Sequence, residues 1–339
     1  MSAKYDFDDV LIIPQFSDIT SRSQVKVEET IRGKWGATIT GVPIIAANMD
    51  GVGTFSMHHE LKKFGVFTAI TKQHTHADWV KQSDVSHAFI TIGMCDEDLK
   101  KAMDIVSTWK DRVSNFTPKI VIDVANGYMN PFYDFIEKVR KNIPDAFIAA
   151  GTVCTPPGVE RILTSGADLA RVGIGTGAVC TTRRIAGVGY PQFSALAESI
   201  QTADSVQGGV MSDGGCVFPG DFSKAFGVGA KMVMAGSIFA GHNESEQEIH
   251  DGKITFYGMS SRAAQEKHNQ VKNYRASEGR VVQLPYKGPV SNTISEILGG
   301  IRSTCAYVNA KSIGELNENC QFIQVNNQLN RSLEQYTIR

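Results

Sequence analysis

Eight short runs of apolar, largely β-branched residues punctuate the chain, at 43–48, 66–70, 88–92, 119–123, 146–150, 169–173, 209–213 and 232–235. Their apolar character is continuous rather than alternating, which is the signature of parallel strands buried on both faces. Most intervals between them, such as 96–106 and 131–141, space their apolar residues as an amphipathic helix does. Eight successive strand-then-helix units predict an α/β protein built as a closed (β/α)8 TIM barrel, with residues 1–339 forming one domain.

In such a barrel the chemistry sits on loops that leave the C-terminal ends of the strands. The unusual residues fall there: Asn48, Met49 and Asp50, then Lys72, the Asp123-Val124-Ala125 step, the stretch from Gly175 to Arg183, Asp213-Gly214-Gly215, and Gly236-Ser237. Two connections exceed a minimal unit. The one after the sixth strand is long and carries a glycine-rich catalytic loop. The other, about 241–289, is polar, precedes a helix near 293–302, and reads as a flap over the mouth. Residues 326–339 read as an exposed or partner-bound polar tail.

Composition narrows the function. The formal net charge is -1, so no basic field points to nucleic acid. The N-terminus has no apolar signal core and no apolar run reaches membrane-spanning length. The six cysteines are dispersed without a CxxC pair, as in reduced intracellular proteins. The expectation is a soluble, cytoplasmic enzyme with no nucleic-acid or membrane partner. His58-His59 and the His74, His76 pair lack zinc-ligand spacing. Gly173-Ile-Gly-Thr-Gly177 lacks the full dinucleotide fingerprint, and no phosphate-binding GxxxxGK[ST] loop occurs.

Three features carry candidate chemistry. Asp213-Gly214-Gly215 and Gly236-Ser237 follow the seventh and eighth strands, where barrels often bind phosphate through backbone N–H groups. Tight turns alone also explain such glycines. Cys180 follows glycine turns and precedes polar residues, which fits an accessible nucleophile, whereas Cys154, Cys216 and Cys320 read as inert small hydrophobes. Taken one at a time, Thr182 is a loop hydroxyl, Arg183 a solvated charge and Glu278 a surface carboxylate.

The motifs GIGTGAVCTTR (173–183), GVGYPQ (187–192), SDGGC (212–216), FYGMSS (256–261), YRASEG (274–279) and LPYKG (284–288) together resemble the IMP dehydrogenase/GMP reductase family, and its reductase branch most. The likeness runs from Phe7 to Cys305. It implies a barrel enzyme, generally a homotetramer, that reductively deaminates GMP to IMP and ammonia with NADPH. The dehydrogenase branch is the alternative, in a form without its regulatory domains. That branch uses a flap Arg-Tyr pair, and no Arg-Tyr dipeptide occurs here. A non-catalytic phosphate-binding scaffold is the third reading, and it has no need of Cys180, Thr182 and Glu278 together.

The resemblance also implies roles. Cys180 attacks the purine, and Thr182 with Glu278 relays protons. Asp213, Gly214, Gly215, Gly236 and Ser237 hold the substrate's phosphate and ribose, while Gly258, Met259, Ser260, Arg275, Ala276, Ser277 and Gly279 meet its base. NADPH is placed against Ser21, Arg22, Lys72, Asp123, Val124, Ala125, Ile174, Gly175, Met259, Tyr274 and Arg275, with Ser303, Thr304 and Cys305 from a neighbouring subunit or segment. A monovalent cation, typically potassium, is assigned to Gly175, Gly177, Cys180 and Arg183, largely through carbonyl oxygens. Two positions depart from the family pattern: Thr176 replaces a usual proline, and Ser237 a usual second glycine.

Overall fold

The structure, a computed structural model, describes residues 2–268 and 276–326. Eight parallel strands close into a barrel: β1 (Thr38–Ala46), β2 (Val66–Ile70), β3 (Ala88–Ile92), β4 (Lys119–Asp123), β5 (Phe147–Val153), β6 (Leu169–Val172), β7 (Gly209–Asp213) and β8 (Met232–Ala235). Each pairs with the next, and β8 returns to β1 through Val233 opposite Ile44 and Met234 opposite Ile45. Every residue of β2 and β3 is buried. Phe67, Phe89 and Phe147 meet edge to face, with centroids 5.7 and 6.3 Å apart, and bind three strands into one core.

The helices form for local reasons that also orient them. Asp96–Arg112 begins with Asp96, Glu97 and Asp98 and ends with Lys110 and Arg112, matching its macrodipole, and buries Leu99, Ala102, Ile105, Val106 and Trp109 on one stripe. Pro131, Pro156 and Pro219 stand in the first turns of Asn130–Asn142, Pro156–Thr164 and Pro219–Val228, where proline loses no helical hydrogen bond. The last long helix, Val290–Tyr307, packs on Pro219–Val228.

Three additions were not foreseen. The first half of β1 extends past the barrel and pairs antiparallel with Glu29–Arg32. Val10–Ile13 pairs antiparallel with Gln321–Gln324. The flap is built on an antiparallel hairpin, β9 (Lys253–Tyr257) with β10 (Val281–Pro285). Among the described residues, no helix is long and apolar enough to cross a membrane. All six cysteines are free. Tyr274, Arg275 and the tail beyond Asn326 lie outside the described residues.

Candidate active site

At the C-terminal ends of the strands a cavity of about 310 Å³ opens. Its walls come from the β1 end (Asn48, Met49), the β4 end (Asp123, Val124, Ala125), the loop after β6 (Gly173 to Cys180, and Thr182), the β7 end (Asp213, Gly214, Gly215), the β8 end (Gly236, Ser237) and the flap (Gly258, Met259, Ser260, Glu278). Gly173 lets two of these walls touch, since a Cβ there would lie 2.0 Å from the Asp213 carbonyl oxygen. Gly175, at φ 78°, then turns the chain back. Thr176 spans the same gap, its hydroxyl donating to the Asp213 carbonyl at 2.8 Å, so this threonine ties the loop to β7.

The flap docks on this loop as a short antiparallel rung. Thr181 N donates to Glu278 O at 3.0 Å, Arg280 N donates to Val179 O at 3.0 Å, and Cys180 faces Gly279. The Arg280 guanidinium adds two bonds to Ala178 O, at 3.0 and 2.7 Å. That rung sets three side chains in a row: Cys180 Sγ is 3.2 Å from Thr182 Oγ1, and Thr182 Oγ1 donates to Glu278 Oε2 at 2.8 Å. A hydroxyl has one proton to give. With that proton committed to Glu278, the Thr182 lone pairs face the thiol, so a proton path runs from sulfur to carboxylate.

Arg171, on β6, also lines the cavity. It is 3% exposed, and its guanidinium forks to Asp123 Oδ1 and Asp213 Oδ2, each at 2.7 Å. Burial pushes its pKa down, but the two carboxylates outweigh that and leave it above the ordinary value. Burial raises the Asp213 pKa, with Arg171 opposing. Arg171 Nε is buried without a partner.

The remaining expected residues divide in two. Ile174, Gly175 and Gly177 line the cavity. The Gly214 amide, expected to face a ligand, instead donates to Met234 O at 3.1 Å, because the turn closes onto β8. The Ser277 hydroxyl accepts from Arg262 N at 3.1 Å inside the flap, and Ala276 is exposed beside it. Arg183 is not a free solvated charge: its guanidinium holds Asp6 and the Tyr190 carbonyl, so it is not bonded to the Cys180 thiol. Lys72 follows β2, outside the cavity lining.

Ser21 caps the turn Arg22–Gln24, which packs on the helix carrying Ser303, Thr304 and Cys305, also outside the lining. Cys305 is fully buried, with its thiol pushed up to about 12 by burial, and Thr304 bonds Ser223. Cys154 and Cys216 are buried, and Cys320 is half-buried with its thiol also pushed up to about 12. Sequence reasoning missed Arg171, although a charge inside an apolar strand is itself a signal.

Among the described residues, no group of three His, Cys, Asp or Glu side chains could hold a metal ion. The loop after β6 offers backbone carbonyls as candidate donors, the class that suits a monovalent cation, and the Gly177 carbonyl already accepts from Cys180 N at 2.9 Å. For a nicotinamide cofactor, the cavity lining extends from Cys180 to Val124 and Ala125.

Residues 4–332 match the family model described as IMP dehydrogenase / GMP reductase domain. A GMP reductase of Aliivibrio fischeri (strain MJ11) is 46% identical over 339 residues, covering 96% of each chain. One from Klebsiella pneumoniae is 46% identical over 340 residues, covering 97% of this chain and 96% of the relative. One from Phytophthora infestans is 48% identical over 339 residues, covering 96% and 92%.

Proposed function

The chain belongs to the IMP dehydrogenase/GMP reductase family, and on that premise we propose that it is a GMP reductase, converting GMP to IMP and ammonia at the expense of NADPH. The observation that carries this reading is the row Cys180–Thr182–Glu278 at the mouth. Family members act on purine nucleotides and use a nicotinamide cofactor, which fits the extended cavity.

The chemistry has two demands that this row meets. The guanine C2 is an amidine carbon and a weak electrophile, so it needs a thiolate. The path through Thr182 to Glu278 takes the thiol proton as the Cys180 sulfur bonds to C2. The exocyclic amine cannot leave as an anion, and the same path returns a proton to it, so that ammonia departs and a covalent thioimidate remains. Positioned acid–base groups of this kind contribute about 10²–10⁴-fold. When bound, NADPH supplies the hydride that reduces C2. The C2–S bond then breaks, freeing IMP and restoring the thiolate.

Substrate is held away from the reacting atom. Asp213, Gly215, Gly236 and Ser237 receive ribose and phosphate, and Met259, Ser260 and the segment through Gly279 cover the base. Asp123, Val124 and Ala125 take the nicotinamide end of the cofactor. Arg22 and Lys72 take its phosphates, with Ser303, Thr304 and Cys305 supplied by a neighbouring subunit or segment. Potassium is held by carbonyls of Gly175, Gly177, Cys180 and Arg183. The test is direct. Purified protein consumes NADPH only when GMP is present, read by the cofactor's near-ultraviolet absorbance. Production of NADH from IMP and NAD, with no GMP-dependent loss of NADPH, refutes the reading.

A further inference from the structure

We propose that Asp50 is a positioning residue for this reaction: its carboxylate latches the flap to the barrel mouth and so holds Glu278 against Thr182. Asp50 follows β1 beside Met49 of the cavity wall and is 8% exposed. One oxygen, Oδ2, faces three donors that all belong to the flap: the Tyr257 hydroxyl at 2.7 Å, His268 Nε2 at 2.8 Å and Lys267 Nζ at 3.1 Å. The Asp50 amide also donates to Met259 Sδ at 3.4 Å.

A buried carboxylate is tolerated only when its lone pairs are satisfied. Here the partners of that oxygen come from one element, the hairpin with its attached helix, so release of the flap would strip them together. Burial pulls the Asp50 pKa upward, but the Tyr257, His268 and Lys267 donors overcome this and keep it below the ordinary carboxylate value. The group is therefore ionised when docked. The route to the reaction row is short. Tyr257 ends β9, Gly258 N donates to Arg280 O at 3.2 Å, and Arg280 stands two residues from Glu278 on the rung against Val179. A flap released at Asp50 lets that carboxylate drift from Thr182, whereas ribose and phosphate contacts on the barrel loops stay in place.

The inference rests on the reductase reading, and the test separates the two. Full-length Asp50→Ala, Glu278→Gln and the double variant are compared with wild type by NADPH turnover, by equilibrium binding of GMP alone and by amide hydrogen exchange. Asp50→Ala is expected to lower kcat on the order of 10²-fold, the scale of a misplacement of about 1 Å. GMP affinity should fall by less than kcat, because the flap groups over the base loosen while the ribose and phosphate groups on the barrel loops stay, and exchange across β9 and β10 should be faster. Added to Glu278→Gln, it should cost little more, because both act through one carboxylate.

A purely structural Asp50 would multiply the Glu278→Gln loss in full, and that result overturns the proposal. Unchanged turnover with unchanged exchange also overturns it. Should Asp50→Ala fold poorly, Tyr257→Phe combined with His268→Leu removes two of the same donors and should shift kcat and exchange in the same direction. Wild-type protein inert toward GMP would end the reductase reading, while exchange in the variants still judges the latch.

Discussion

Replacing Glu278 with glutamine isolates proton transfer from geometry. The Thr182 hydroxyl donates to Glu278 Oε2 at 2.8 Å and lies 3.2 Å from the Cys180 sulfur. In Glu278→Gln the side-chain oxygen can still accept that proton, so the row keeps its shape, but an amide can neither take the thiol proton nor return it to the leaving amine. The rate term at stake is the general acid–base contribution, about 10²–10⁴-fold. At 1.36 kcal/mol per decade, this is about 3–5 kcal/mol on the barrier.

Binding should escape, because the groups assigned to ribose and phosphate lie on the β7 and β8 loops. The variant is therefore expected to lose kcat with KM for GMP nearly unchanged. Single-turnover assays of ammonia release should slow by the same factor as steady-state NADPH consumption. A loss below about tenfold, or one confined to KM, would refute the relay, since ground-state binding and not proton transfer would then be what Glu278 supplies.

Three further outcomes are expected. Cys180→Ala should abolish turnover while still binding GMP in equilibrium dialysis, and normal turnover in that variant would remove the covalent step. Arg171→Met should cost about 3–5 kcal/mol of stability, because it leaves Asp123 and Asp213 without their shared cation. Arg171→Lys should fall between it and wild type, and an unshifted urea midpoint in Arg171→Met would contradict this. His58 is fully buried, and burial lowers its pKa from 6.5 to about 4. The folded state thus favours the neutral ring, so its contribution is complete above pH 6.5 and is lost as pH falls toward 4. That amounts to about 3 kcal/mol at 1.36 kcal/mol per unit. His58→Gln should flatten this acid slope in urea unfolding, and an unchanged slope would assign it to other groups.

The pattern of residues disclosed some elements to the residue and hid others, and the division has a physical cause. Val66–Ile70, Ala88–Ile92, Lys119–Asp123, Gly209–Asp213 and Met232–Ala235 were legible because strands covered on both faces must be apolar throughout. The first half of β1 was not: Thr38 to Gly41 alternates exposed and buried where it leaves the barrel to pair with Glu29–Arg32. The flap strands Lys253–Tyr257 and Val281–Pro285 carry no tight-turn signal between them, so the segment read only as a polar excursion.

The site divides likewise. The loop from Gly173 to Arg183 is local, and its glycines and cysteine announce it. Glu278 is 96 residues from Thr182 and joins it only through a backbone rung, which no local spacing encodes. Arg171 is the instructive case. A guanidinium inside an apolar, doubly covered strand must find carboxylates within the barrel, and the chain places Asp123 and Asp213 at the ends of β4 and β7, where they could reach it. The sequence alone therefore implies that pairing. It makes Arg171 the joint through which the β4 and β7 ends of the cavity wall are held at one spacing.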